Sequence, residues 1–230
     1  MNVDTGEYGR AFGLWRRAAG QEWAAYVAHP FVTGLGDGSL PRESFLHYLV
    51  QDYVFLVHFA RAWALAVVKA ETLEEMRVAT ATVDALVREE MALHISVCAR
   101  EGISEDMLYQ AAESPANLAY TRYVLDAGSA GDFADLMAAL APCVLGYGEI
   151  GLLLSGVAAP DTPYREWIDT YAGEDYQETC RQVGSMIDIA LERRIGADFD
   201  AAPRWPRLIE RFVTATRLEV GFWQMGWDRA

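Results

Sequence analysis

Apolar side chains recur three and four positions apart along nearly the whole chain, and almost no stretch alternates with period two. Leu46, Leu49, Val50, Tyr53, Val57 and Ala60 form one such stripe, and Val78, Val83, Leu86, Val87 and Met91 form another. That spacing puts apolar groups on one face of an α-helix, whereas a half-buried strand needs strict alternation. Turn-forming clusters interrupt the pattern at 34–41 (GLGDGSLP), Ser114-Pro115, 128–132 (GSAGD), 158–163 (AAPDTP) and 196–206 (GADFDAAPRWP). The stripes between them predict helices over 7–28, 41–70, 73–100, 104–111, 115–127, 132–155, 163–171, 173–195 and 203–228. Helix starts are chemically marked. Ser39 and Pro41 precede Glu43, Thr72 precedes Leu73-Glu74-Glu75 as in a capping box, Ser104 precedes Glu105-Asp106, and Asp132 precedes an apolar run from Phe133. The expected fold is all-α, one domain over 1–230, a multi-helix bundle with a ligand pocket facing its core.

Composition narrows the function. Apolar residues make up 52% of the 230, enough for a large core and against intrinsic disorder. Lys and Arg number 19 against 33 Asp and Glu, a net charge of −14. Such a chain repels phosphate backbones, so no nucleic-acid partner is expected. The most apolar stretch, 136–156, contains Pro142, Glu149 and several glycines. It reads as a buried helix rather than a membrane span. The first residues, MNVDTGEYGRAFGLWRR, do not read as a signal peptide. Cys98, Cys143 and Cys180 form no CxxC pair, which argues against a thiolate zinc site. Their odd number favours reduced thiols and a cytoplasmic location.

Several positions could carry chemistry. Cys143 follows Pro142 within LAPCVLGYGEIG, where a proline should kink a helix and glycines admit a ligand close to the backbone; Tyr147 lies one turn on. A buried inert thiol is the alternative for Cys143. Asp52 interrupts an aromatic face shared by Tyr48, Phe55 and Phe59. A carboxylate there needs a partner, either a ligand or an arginine such as Arg61. Glu219 stands near Phe222 and Trp223, where burial would raise its pKa into the range of a general acid; a solvated glutamate is the alternative. Glu90 and His94 are one turn apart and could ligate a metal, but a hydrogen bond between them on the helix face is the expected role, and no metal site is expected. Tyr120 and Tyr171 could be site hydroxyls or core aromatics with satisfied hydroxyls. His29, His47 and His58 read as core or boundary residues.

The succession HPFVTGLGDGSLP, FLHYLVQDYVFL, EEMALH, NLAYTRYV, LAPCVLGYGEIG, YREWIDTY and RLEVGFW resembles the thiaminase II (TenA) family over about residues 12–227. The resemblance implies a haem-oxygenase-like helical fold, a homotetramer and an aminohydrolase of thiamin salvage. Such an enzyme converts aminomethylpyrimidine to hydroxymethylpyrimidine and ammonia, and many members also cleave thiamin. By the same resemblance Cys143 is the nucleophile, as in the cysteine-containing arm of the family, and Glu219 is the acid/base. Asp52 is the pyrimidine-binding carboxylate, Tyr147 and Tyr171 are polar partners near the cysteine and glutamate, and Phe55 and Tyr120 are aromatic sides of the ring slot. No cofactor is implied. The partner is a small aminopyrimidine or thiamin, with no membrane involved. An oxidase or oxygenase on the same scaffold, or a pyrimidine-binding protein without turnover, are the competing readings.

Overall fold

The computed structural model describes residues 8–230. The first residue of the helix expected over 7–28, and the start of the segment that does not read as a signal peptide, lie outside them. Among the described residues there are helices and no strand. The helices are α1 (Arg10–Ala19), α2 (Gln21–Val27), α3 (Pro30–Asp37), α4 (Arg42–Lys69), α5 (Leu73–Ala85), α6 (Met91–Arg100), α7 (Glu105–Tyr109), α8 (Pro115–Ala130), α9 (Phe133–Val157), α10 (Arg165–Ala172), α11 (Glu174–Ile195) and α12 (Trp205–Asp228). A π-helical turn, Leu86–Glu90, joins α5 to α6.

Helix α9 is the axis of the bundle. Every residue from Phe133 to Gly151 is buried. Helices α8, α10, α11 and α12 pack on it, and α4 packs on α8 and α12. By length and composition α9 could cross a membrane, so its proline and glycines do not break it as expected; yet 89% of its most apolar window is buried in the protein. It runs uninterrupted through Pro142, and the Tyr26 hydroxyl donates to the Pro142 carbonyl at 3.2 Å. Each large apolar side chain buried this way contributes on the order of 1.5–3 kcal/mol.

The N-terminus of α9 is held by charge. Asp132 and Asp135 form a capping box. Arg204 Nη2 reaches Asp135 Oδ2 at 2.6 Å, Arg211 Nε reaches Oδ1 at 2.6 Å and Arg207 Nε reaches Oδ1 at 3.3 Å. Burial raises the Asp132 pKa, but its bonds to Arg204 and to nearby backbone N–H groups outweigh that and bring it to about 2.

Several expectations are corrected. Helix 7–28 is two helices, parted at Gly20, whose φ is +52°. The first half of the segment expected as a turn, 34–37, is helical, because α3 starts at Pro30 with His29 Nδ1 accepting from the Phe31 N–H at 3.1 Å. A glycine fits at 34 because a Cβ there would stand 3.0 Å from the Leu40 backbone nitrogen. Ser39 does not cap α4; Pro41 holds that position, and the Ser39 N–H donates to Asp37 Oδ1 at 2.9 Å. Thr72 does cap α5, accepting from the Glu75 N–H at 3.2 Å, but Glu75 accepts from the Glu71 N–H instead of closing the box. Ser104 caps α7.

Close approach of α10 to α9 places the last aromatic of the site. A Cβ at Gly151 would lie 2.5 Å from the Tyr171 carbonyl carbon, so a side chain there would force the two helices apart. Nothing in the sequence besides the glycine itself signals this contact.

Candidate active site

A cavity of about 570 Å³ enters the bundle between the π-helical turn, α9, α10 and the start of α11. Its inner wall carries Cys143, Val144, Phe59 and Tyr171. Its mouth carries the exposed acids Glu89, Asp169, Glu174 and Asp175. Cys143, 8% exposed, is therefore not packed into a sealed core. Its position follows from the fully buried run of α9, which turns the face bearing the thiol toward the gap left by α10.

Glu219 comes from α12 and is 1% exposed, so it is no solvated helix-face glutamate. The Tyr120 hydroxyl donates to Glu219 Oε1 at 2.7 Å, and the Cys143 thiol is a neighbour of the same carboxyl. Burial dominates and raises its pKa to about 8, with the Tyr120 hydrogen bond and the neighbouring thiol opposing the shift and the Asp52 charge adding to it. The Cys143 thiol is pushed well above its ordinary range by burial and then by Glu219, Glu90 and Asp52. The resting thiol is thus protonated at neutral pH, with a proton-carrying carboxyl group beside it.

Asp52 is 3% exposed on α4. Its partner is not Arg61, which instead faces His58 Nδ1 at 3.3 Å. His94 Nε2 lies 2.7 Å from Asp52 Oδ2, and the Tyr48 hydroxyl donates to the same oxygen at 2.9 Å. Asp52 Oδ1 makes no hydrogen bond among the described residues. Burial opposes charge on His94, but its bond to Asp52, and the Asp52 and Glu90 charges, outweigh this and raise its pKa. His94 Nδ1 meets the Glu90 backbone carbonyl at 2.8 Å. The expected Glu90–His94 bond therefore runs through the main chain, while the Glu90 side chain turns to Tyr171, whose hydroxyl donates to Oε1 at 2.7 Å.

The aromatic residues sort into two groups. Phe55 and Tyr120 have ring centroids 5.0 Å apart with planes inclined at 33°. The two rings touch one another and form one aromatic wall. Phe222 joins them at 5.4 Å from Phe55. Tyr147 does not bond to Glu219; its hydroxyl lies 3.4 Å from that of Tyr48, and its ring packs on Trp223 and Tyr171 at 5.3 and 5.0 Å.

Cys143, Glu219, Asp52, Tyr120, Tyr147 and Tyr171 thus gather from α4, α8, α9, α10 and α12 around one thiol. No three His, Cys, Asp or Glu side chains stand as a metal-holding group among the described residues.

The profile of the TENA/THI-4/PQQC family matches residues 16–229. The chain belongs to this family. The aminopyrimidine aminohydrolase of Halalkalibacterium halodurans is 36% identical over 208 residues, covering 90% of this chain and 90% of that protein. A crystal structure from Silicibacter sp. TM1040, described as a TenA family transcription regulator, is 61% identical. It superposes with a TM-score of 0.94 over 96% of this chain and 97% of that one. A Shewanella denitrificans domain with a heme oxygenase-like fold, 13% identical, superposes with a TM-score of 0.72 over 95% of this chain and 92% of that one, a likeness of fold alone. The TENA/THI-4/PQQC bundle is therefore the haem-oxygenase-like one expected from the sequence.

Sequence reasoning missed three participants. His94 is 42 residues from Asp52, and only its pairing with Glu90 was visible. Tyr48 was visible as an aromatic on the Asp52 face, with no sign that its hydroxyl would bridge to Tyr147. Glu90 was visible as the partner of His94 in a helix-face hydrogen bond or a metal site, with no sign that its side chain would turn to Tyr171.

Proposed function

We propose that this TenA-family chain is an aminopyrimidine aminohydrolase of the thiaminase II type, acting in thiamin salvage. The observation that carries the reading is the Cys143 thiol on the wall of a cavity, with a buried glutamate and a buried aspartate near enough to act on it.

Displacing an amine directly from the exocyclic methylene of an aminopyrimidine is difficult, and covalent catalysis divides the barrier. The Cys143 sulfur adds to a ring carbon while Glu219 gives its proton to a ring nitrogen and takes the thiol proton. A Glu219 pKa of about 8 keeps the carboxyl protonated at neutral pH, as this relay requires. The electron-rich adduct expels the amine. Water adds to the methylene, the carbon–sulfur bond breaks, and the proton returns through Glu219 to sulfur. Asp52 reads the polar edge of the pyrimidine through Oδ1, while His94 and Tyr48 hold Oδ2. The ring lies against Phe55, Tyr120 and Phe222. Tyr147 steadies Tyr48, and Tyr171 faces the leaving amine. A homotetramer in the cytoplasm completes this reading, in keeping with three free, buried cysteines; light scattering on the purified protein tests the assembly.

Turnover of 4-amino-5-aminomethyl-2-methylpyrimidine, followed chromatographically, tests the activity. Undiminished turnover by Cys143→Ser would refute the nucleophile.

A further inference from the structure

We propose that Glu90 is a further catalytic residue, the carboxylate that receives the amine end of the substrate and takes the proton of the water that replaces it. The inference rests on the aminohydrolase reading above.

Three carboxyl groups act on the Cys143 thiol: Glu219, Glu90 and Asp52. Of these, only Glu90 lines the cavity through which water must enter and ammonia must leave. Glu219 is enclosed by Tyr120 and Cys143, and Asp52 by His94 and Tyr48. The π-helical turn ends at Glu90 and frees the side chain from its helix neighbour His94, which is satisfied by the Glu90 backbone carbonyl. The carboxyl is then held by Tyr171 across the cavity wall. The mouth points the same way. Glu89, Asp169, Glu174 and Asp175 surround it; Glu174 pairs with Arg181 and Asp169 with Arg165, but the lining itself holds these acids and no Lys or Arg, so the rim is acidic. A substrate cationic at its amine therefore sits with its amine outward, beside Glu90, and its ring inward toward Cys143.

The groups facing Glu90 are Tyr171 on α10, Tyr176 on α11, His94 on α6, Asp52 on α4 and Cys143 on α9. Burial and the Asp52 charge outweigh His94 and Tyr171 and raise the Glu90 pKa to about 7, suited to a group that takes up and returns a proton near neutrality. The step balances. The carbon–nitrogen bond of the adduct's ammonium breaks, and the electron pair leaves with ammonia. The water oxygen bonds to the methylene carbon as its proton moves to the Glu90 carboxylate. That proton then passes to the departing ammonia, which leaves as ammonium.

The test uses Glu90→Ala with aminomethylpyrimidine, with and without sodium azide, an anionic nucleophile that needs no base. Hydrolysis should fall about 100-fold or more. Azide should restore substrate consumption and give the azidomethylpyrimidine, identified by mass. Unchanged hydrolysis overturns the proposal, and so does a folded variant whose lost activity azide does not restore. Glu90→Gln, which keeps an acceptor for Tyr171, repeats the measurement should the alanine variant fail to fold; the same two outcomes decide it. Wild-type protein inert toward aminomethylpyrimidine would instead refute the underlying aminohydrolase reading.

Discussion

Asp135 and Glu219 are buried to almost the same degree, 3% and 1% exposed, yet they live in opposite surroundings. Asp135 meets Arg204, Arg207 and Arg211 at the entry of α9. Among the described residues the Glu219 carboxyl accepts from the Tyr120 phenol, with the Cys143 thiol as a neighbour. Burial alone therefore does not tell a structural acid from a reactive one; the charge of its partners does. Three guanidinium groups ion-pair with one carboxyl and tie α12 to α9. Neutral donors leave the carboxyl able to gain and lose a proton near pH 8.

The sharpest way to break this contrast is to remove what Glu219 serves. Cys143→Ala should lower kcat on aminomethylpyrimidine by on the order of 10^4-fold or more while thermal melting stays near wild type. Glu219→Gln should cost about 10^2 to 10^4-fold in kcat, with no loss of melting temperature, because an amide replaces a carboxyl that is already neutral. Asp135→Asn should do the reverse. It should destabilise by about 3–5 kcal/mol in denaturant unfolding, since arginines lose their counter-charge, and leave kcat per folded molecule unchanged.

The contrast also has a pH signature. The Glu219 pKa rises on folding from an ordinary 4.5 to about 8. The folded state then holds a proton that the unfolded state releases, so stability falls as pH rises from about 4.5 and levels off above about 8. The slope of melting temperature against pH in this window should be shallower in Glu219→Gln than in wild type. The smallest effect is expected where an acid and a base are both exposed. Arg88 pairs with Asp84 at 2.6 Å with side chains 75% and 65% exposed, and Arg88→Ala should change stability by less than about 0.5 kcal/mol.

The helical framework was legible wherever the apolar repeat met a capping residue, as at Asp132 and Thr72. It was misread where glycines lie inside a helix. Gly34 looks like turn chemistry, and only the nearness of Leu40 reveals a packing role. The site was legible as residue types on separate stripes, Asp52 among aromatics and Cys143 after a proline. Pairings were not, because they join distant segments: Arg61 was the nearer arginine in sequence, but His94 arrives through the crossing of α6 on α4. The turn at Leu86–Glu90 was invisible for another reason. An α-helical repeat assumes one regular pitch, and a single wider turn leaves composition untouched while redirecting one side chain.

Gly151 has a consequence for anyone redesigning this enzyme. Tyr171 owes its place to backbone resting on backbone at that glycine, so the width of the cavity is set from behind its lining. A methyl group introduced there would act as a shim, tilting α10 outward and moving the phenol without touching any ligand. Variants selected for bulkier leaving amines should accumulate at such spacer positions before the reactive side chains themselves change.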